Sequence, residues 1–155
     1  MHPDDMYRAQ RITTITALRY WAPTVRDCAH VTEEEPGGYW RLRVIPFAAG
    51  ACPFELILLE DRFYSLMLDG RGYEDMPVAR LQMMVPLVEA IANGDVARGL
   101  TTSTTTGRLL AITDRVTMAD GSVWTQSEVV EHGWDAGTAA DDTIERIRRY
   151  LPYHR

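Results

Sequence analysis

Phe54-Glu55-Leu56-Ile57-Leu58-Leu59, then Glu60-Asp61-Arg62, then Phe63-Tyr64-Ser65-Leu66-Met67-Leu68 is the stretch on which the architecture turns. Two apolar runs flank a polar triplet, which reads as a β-hairpin. Side chains alternate sides along a strand. A two-residue turn within Glu60–Arg62 would put Phe54, Leu56, Leu58, Phe63 and Met67 on one face. Ile57, Leu59, Tyr64, Leu66 and Leu68 would then share the other. A hairpin with one wet face alternates apolar and polar residues, whereas this reading makes both faces apolar. Each face would need a cover, from helices of this chain or from a second copy, and a homodimer is expected if the helices do not suffice.

The flanking sequence supplies those helices. Pro3-Asp4-Asp5 opens one, with acidic side chains at its positive end, and Met6, Ile12, Ile15 and Leu18 carry it towards Trp21-Ala22-Pro23. Val25–Glu33 alternates as a strand, Pro36-Gly37-Gly38 is a turn, and Tyr39–Pro46 is a second strand. Glu74-Asp75-Met76-Pro77 resembles a capped helix start, followed by a stripe of Val78, Leu81, Val85, Val88 and Ile91 and a stop at Asn93-Gly94. This predicts a central helix over about 77–93, kinked by Pro86 at a cost of order 3 kcal/mol. Ala97–Thr106 and Arg108–Met118 are strand candidates, and Asp120-Gly121 is a short hairpin signal returning through Ser122–Thr125. Residues 126–139 read as an irregular loop. Asp142-Thr143-Ile144-Glu145 resembles a capping box that opens a short C-terminal helix through Leu151. Arg146, Arg148 and Arg149 would then sit near its negative end. The expected fold is a single α+β domain over 1–155, with a mainly antiparallel β-sheet of about 5–7 strands and three helices.

The 155 residues are 46% hydrophobic and 25% charged, with a formal net charge of −6. That is a globular composition, and it argues against a general nucleic-acid or anionic-membrane binder. All 16 basic residues are arginine. A lysine-free chain fits GC-rich bacterial codon usage, or avoidance of amine modification. It excludes a lysine Schiff base, a phosphate-loop lysine and a lysine general base. Cys28 and Cys52 form no CxxC motif, so a reducing cytoplasmic setting is the expectation, with a Cys28–Cys52 bridge left open. No apolar run approaches the roughly 18–20 residues of a membrane helix, the N-terminus lacks a secretion-signal pattern, and no membrane partner is expected.

Catalytic signatures such as GxSxG, HExxH, a Walker loop or a Rossmann fingerprint do not occur. No cofactor and no metal site are expected. Cys28 and His30, two apart, would share a face on a strand, the spacing of a thiolate–imidazole pair or of two metal ligands, with no third ligand apparent. His132-Gly133-Trp134-Asp135 gathers a titratable ring, an indole and a carboxylate in a predicted loop, where functional residues concentrate. Cys28, His30, His132 and Asp135 are therefore the catalytic candidates. Tyr39, Arg41 and Arg43 share a strand face, an aromatic–arginine composition typical of binding hot spots. With Trp134 they are the binding candidates, and Arg26 would lie near them if its strand pairs alongside.

These features favour a small acidic bacterial cytosolic module that binds protein without catalysis: an adaptor, an immunity-type inhibitor or a secretion-chaperone-like protein. The last rests on a loose analogy of element order, with no shared motif. The alternative is a small enzyme built on Cys28 and His30 or on the 132–135 loop. A further alternative is a phage-derived protein that binds or mimics nucleic acid.

Overall fold

The computed structural model describes residues 2–131 and 142–154. Helix α1 (Pro3–Trp21) starts as its sequence dictates. Proline occupies its first turn with Asp4 and Asp5, and the His2 Nδ1 accepts from the Asp4 amide at 3.2 Å. A 3₁₀ turn (Ala22–Val25) follows. Then come β1 (Ala29–Glu34), β2 (Tyr39–Pro46), β3 (Phe54–Leu59), β4 (Phe63–Leu68) and β5 (Arg71–Pro77), an antiparallel meander in sequential order. A 3₁₀ turn (Leu81–Met83) leads into α2 (Met84–Ala92). Strands β6 (Val96–Ser103), β7 (Leu109–Thr117), β8 (Val123–Val129) and β9 (Thr143–Arg149) make a second antiparallel sheet in the order β8-β7-β6-β9. The fold is α+β, with sheets of five and four strands and two α-helices among the described residues.

The decisive hairpin forms, but its register differs from the expected one. Leu58 pairs with Tyr64, Leu56 with Leu66 and Phe54 with Leu68, so Glu60–Arg62 is a three-residue loop, with Arg62 at φ 68°. A slip of one residue turns a whole strand over. All six of those side chains therefore point inward and are buried. Glu55, Ile57, Leu59, Phe63, Ser65 and Met67 share the outer face, where Phe63 and Met67 are 38% and 42% exposed. The inner side alone is fully buried; the outer side is mixed, with Ile57, Leu59, Phe63 and Met67 beside Glu55 and Ser65. Helix α1 covers the inner side: Trp21 packs on Phe54 with ring centroids 6.2 Å apart. Tyr7 Oη and the Arg11 guanidinium donate to the Leu59 and Leu58 carbonyls at 3.1 and 3.0 Å. Trp40, Leu42, Val44 and the α2 residues Leu87, Val88 and Ile91 complete the core.

Three further expectations are corrected. Glu74–Pro77 does not start a helix but ends β5, whose Tyr73 is buried against Trp124 of the other sheet. Pairing with β4, Tyr64 with Met76 and Phe63 with Pro77, together with that contact outweighs the local cap signal. The central helix consequently begins at Met84, which puts Pro86 in its first turn, where amides have no intrahelical partner. No hydrogen bond is lost there, and the expected kink has no cause. Strand β8 runs on to Val129, beyond the expected end at Thr125, although the Asp120-Gly121 turn forms as read, with Met118 N donating to Ser122 O at 2.8 Å. Finally, the C-terminal segment is strand β9, not a helix: Thr143–Arg149 pairs with β6 along its whole length. An uncovered β6 edge would leave a row of backbone donors and acceptors unpaired, and Thr143, Ile144 and Ile147 suit a strand.

After β9 the chain is sewn onto the rest of the molecule. Leu151 N donates to Gly50 O at 2.9 Å, Tyr153 N to Ala92 O at 2.8 Å, and Tyr153 Oη to Cys52 O at 2.5 Å. Gly94 closes α2 at φ 84°, and a Cβ there would lie 2.7 Å from Pro152 N. Gly70 has a similar φ of 82° with nothing within 4 Å. Gly70→Ala should therefore cost roughly 1–3 kcal/mol from backbone strain alone. Gly94→Ala should cost more, the excess being the displaced 150–154 segment. Urea unfolding of the two variants measures the difference; equal losses would mean that the segment yields freely.

Candidate functional site

Three groups of side chains carry chemistry. The first lies on the outer face of the five-stranded sheet. Tyr39, Arg41 and Arg43 alternate outward along β2, opposite to buried Trp40, Leu42 and Val44. Arg41 is held by two carboxylates, Glu34 across the hairpin and Glu55 at 3.3 Å. Among the described residues Arg43 has no carboxylate within ion-pair distance. It borders a shallow hollow of about 280 Å³ with Ile45, Pro53, Glu55, Met67 and Asp69. Ile45 and Phe47 are 38% and 57% exposed on the same side. His30 stands edge-on to Phe47 with centroids 4.9 Å apart. Arg26 falls in the turn before β1 rather than beside these residues.

The second group contains Cys28, but not His30. Strand β1 begins at Ala29, so the alternation that would align residues 28 and 30 does not reach Cys28. His30 points to the outer face, while the Cys28 thiol faces Val25 O and His154 Nε2, each at 3.4 Å. The same His154 nitrogen lies 3.0 and 3.3 Å from the two Asp27 oxygens. The His154 contact holds the Asp27 carboxyl below the ordinary range. Burial, aided by the Asp27 charge, pushes the Cys28 thiol up. A nucleophilic triad needs its carboxylate on the ring nitrogen remote from the thiol, and here thiol and carboxylate converge on one nitrogen. Nothing in the local sequence links position 28 to position 154. Cys28 and Cys52 are both free.

The third group is buried between the sheets. Arg98 of β6 binds Asp114 of β7 through Nε at 2.8 Å and Nη2 at 3.1 Å. Its Nη2 also donates to Leu68 O at 2.6 Å, and Nη1 to Asp69 O at 3.3 Å. Tyr73 Oη donates to Asp114 at 2.7 Å, and Tyr150 Oη to Asp69 at 2.8 Å. Arg148 lies 3.5 Å from Asp69 and over the Tyr150 ring. Arg146, Arg148 and Arg149 are thus strand residues, and no helix dipole acts on them. A sign of this cluster was legible: Val96-x-Arg98-x-Leu100 and Ile112-x-Asp114-x-Val116 each set a charge inside an apolar alternation. His132, Trp134 and Asp135 lie outside the described residues.

No protein-family model, curated protein or solved structure matches this chain.

Breaking the buried pair strands a charge, so Asp114→Ala should destabilise by about 3–5 kcal/mol. The double variant Arg98→Met/Asp114→Leu should lose less, because neither charge is left alone. Denaturant midpoints check both. Alkaline pH offers a second test. Burial pushes the Cys52 thiol up to about 12. Burial, and then the neighbouring carboxylates Asp114 and Asp69, push the Tyr73 and Tyr150 hydroxyls up. The folded chain therefore keeps protons that the unfolded chain releases. This stability is intact below the ordinary cysteine and tyrosine values, about 8.5 and 10, and falls as pH rises above them, by up to about 1.4 kcal/mol per pH unit for each group. Unfolding free energy should drop between pH 8 and 11, and Cys52→Ala should drop less steeply.

Proposed function

We propose that this chain is a protein-binding module without catalytic activity of its own, and that it docks its partner on the outer face of the five-stranded sheet. The supporting observation is that Ile45, Phe47, Phe63 and Met67 are exposed on the face opposite α1, beside Arg43. Scattered exposed apolar residues are ordinary; here they share one side of one sheet with Tyr39 and two arginines. Arg41 is already ordered by Glu34 and Glu55, which lowers the entropy lost when a partner packs on it. Arg43 supplies the charge. The matching partner is a protein surface that is apolar around a carboxylate. A bacterial cytosolic adaptor, immunity-type inhibitor or secretion-chaperone-like role fits such a surface, and the free cysteines suit a reducing compartment.

The test combines capture from source-cell extract with sedimentation. Wild type and Arg8→Ala, a change on exposed α1 surface, should retain the same partner protein. Arg43→Glu/Ile45→Asp should weaken its capture by about 30-fold, the scale of a 2 kcal/mol hot spot, with unchanged circular dichroism. Equal capture by all three proteins would overturn the reading. Sedimentation at micromolar concentration should give the 17.6 kDa monomer. A dimer dissociated by Arg43→Glu/Ile45→Asp would make the occupant a second copy and overturn the separate-partner assignment.

A further inference from the structure

We propose that Asp27, Cys28 and His154 form a three-ligand site for a divalent transition metal of the zinc class. The donor set is one thiol sulfur, one imidazole nitrogen and one carboxylate oxygen, the ligand types that zinc takes in proteins. The spacing matches as well. With zinc bond lengths of about 2.3 Å to sulfur and 2.0–2.2 Å to nitrogen and oxygen, tetrahedral angles give about 3.5 Å between S and N and about 3.3 Å between N and O. The corresponding distances are 3.4 Å for Cys28 Sγ to His154 Nε2, and 3.0 and 3.3 Å from that nitrogen to the Asp27 oxygens. All three donor atoms lie within 4.8 Å of one another.

The convergence is held by backbone rather than left to chance. Cys28 N donates to Val25 O at 3.0 Å, and Cys28 O accepts from Phe47 N at 2.8 Å. His154 follows Tyr153, which is 3% exposed and bound at both its amide and its hydroxyl. A pre-ordered ligand set is what a metal site requires of its supporting residues. A single imidazole N–H serves one acceptor well, yet this nitrogen faces both a carboxylate and a sulfur. A cation at their common centre would satisfy all three donors, with the Cys28 proton released to solvent. Asp27 and His154 are largely solvent-exposed, so an ion has free access. Three protein ligands leave a fourth position for water. A hollow of about 300 Å³ opens beside His154, with Glu89 and Asn93 on its wall.

The full chain, stripped with EDTA, would be titrated with ZnCl₂ by calorimetry and with CoCl₂ by absorption. One equivalent should bind, and cobalt should show the charge-transfer band of a thiolate ligand. That band should persist in Cys52→Ala and vanish in Cys28→Ser. His154→Ala, on an exposed side chain, should weaken zinc binding by at least the roughly 10–100-fold typical of losing a supporting partner. His30→Ala should bind as wild type does. The site is disproved if wild type binds no metal, if the cobalt band survives Cys28→Ser, or if His154→Ala binds zinc undiminished.

Discussion

The Arg98–Asp114 pair is the contact through which the two sheets become one molecule. Arg98 sits in the middle of the second sheet, yet its guanidinium donates to the carbonyls of Leu68 and Asp69, where the first sheet turns. Asp114 answers with both oxygens and takes a third hydrogen bond from Tyr73 of the first sheet. A buried charge pair of this kind is weak as a source of net stability, because desolvation consumes much of the attraction. Its consequence is geometric: three of its five polar bonds cross from one sheet to the other, and their fixed directions favour one relative placement where apolar contact alone would tolerate several. Trp124 Nε1 donating to Tyr64 Oη at 2.9 Å adds a second fixed point between them.

The hairpin register decides what remains open. With Leu66, Leu68 and Tyr64 turned inward, the first sheet has a single dry side, and α1, α2 and Trp124 of the second sheet cover it. The opposite side then holds every second residue of five strands, and no element among the described residues lies across it. The chain thus has a structural reason to expose Ile45, Phe63 and Met67 beside arginines.

Much of this was legible locally. The α1 boundaries follow from Pro3, the first-turn acids and Pro23. Tyr39–Pro46 follows from strict alternation, and the β7–β8 turn from Asp120-Gly121. Glu74–Pro77 and Thr143–Ile144 both carry good helix-start chemistry, and both lie in edge strands of the two sheets. For β5 the winning partner is close by: it pairs with β4 across the Asp69-Gly70 turn, and Tyr73 adds contacts to Trp124 and Asp114. For β9 the partner is the distant open side of β6, which no short window contains. The β3–β4 face assignment failed for a smaller reason: a loop of three residues rather than two, with Arg62 taking a left-handed conformation usually left to glycine. Arg98 and Asp114 went unread: each is a single charge inside an apolar alternation, and only the β6–β7 register makes them a pair.

The strand state of β9 also accounts for the cluster around Cys28. Seven residues in a strand advance the chain by about 23 Å, against about 10 Å in a helix. Extended, β9 carries the chain down the full side of β6, from Ser103 to Ala97, and delivers it to the end of α2 and the loop before β3. There Gly94 lacks a Cβ and admits Pro152, Tyr153 locks on to Ala92 and Cys52, and His154 is presented to Asp27 and Cys28. A helix over the same residues would end short of that place. The pairing that closes the β6 edge and the meeting of three ligand-type side chains are therefore one structural event, and a change that frees β9 from β6 would scatter the site without touching any of its residues.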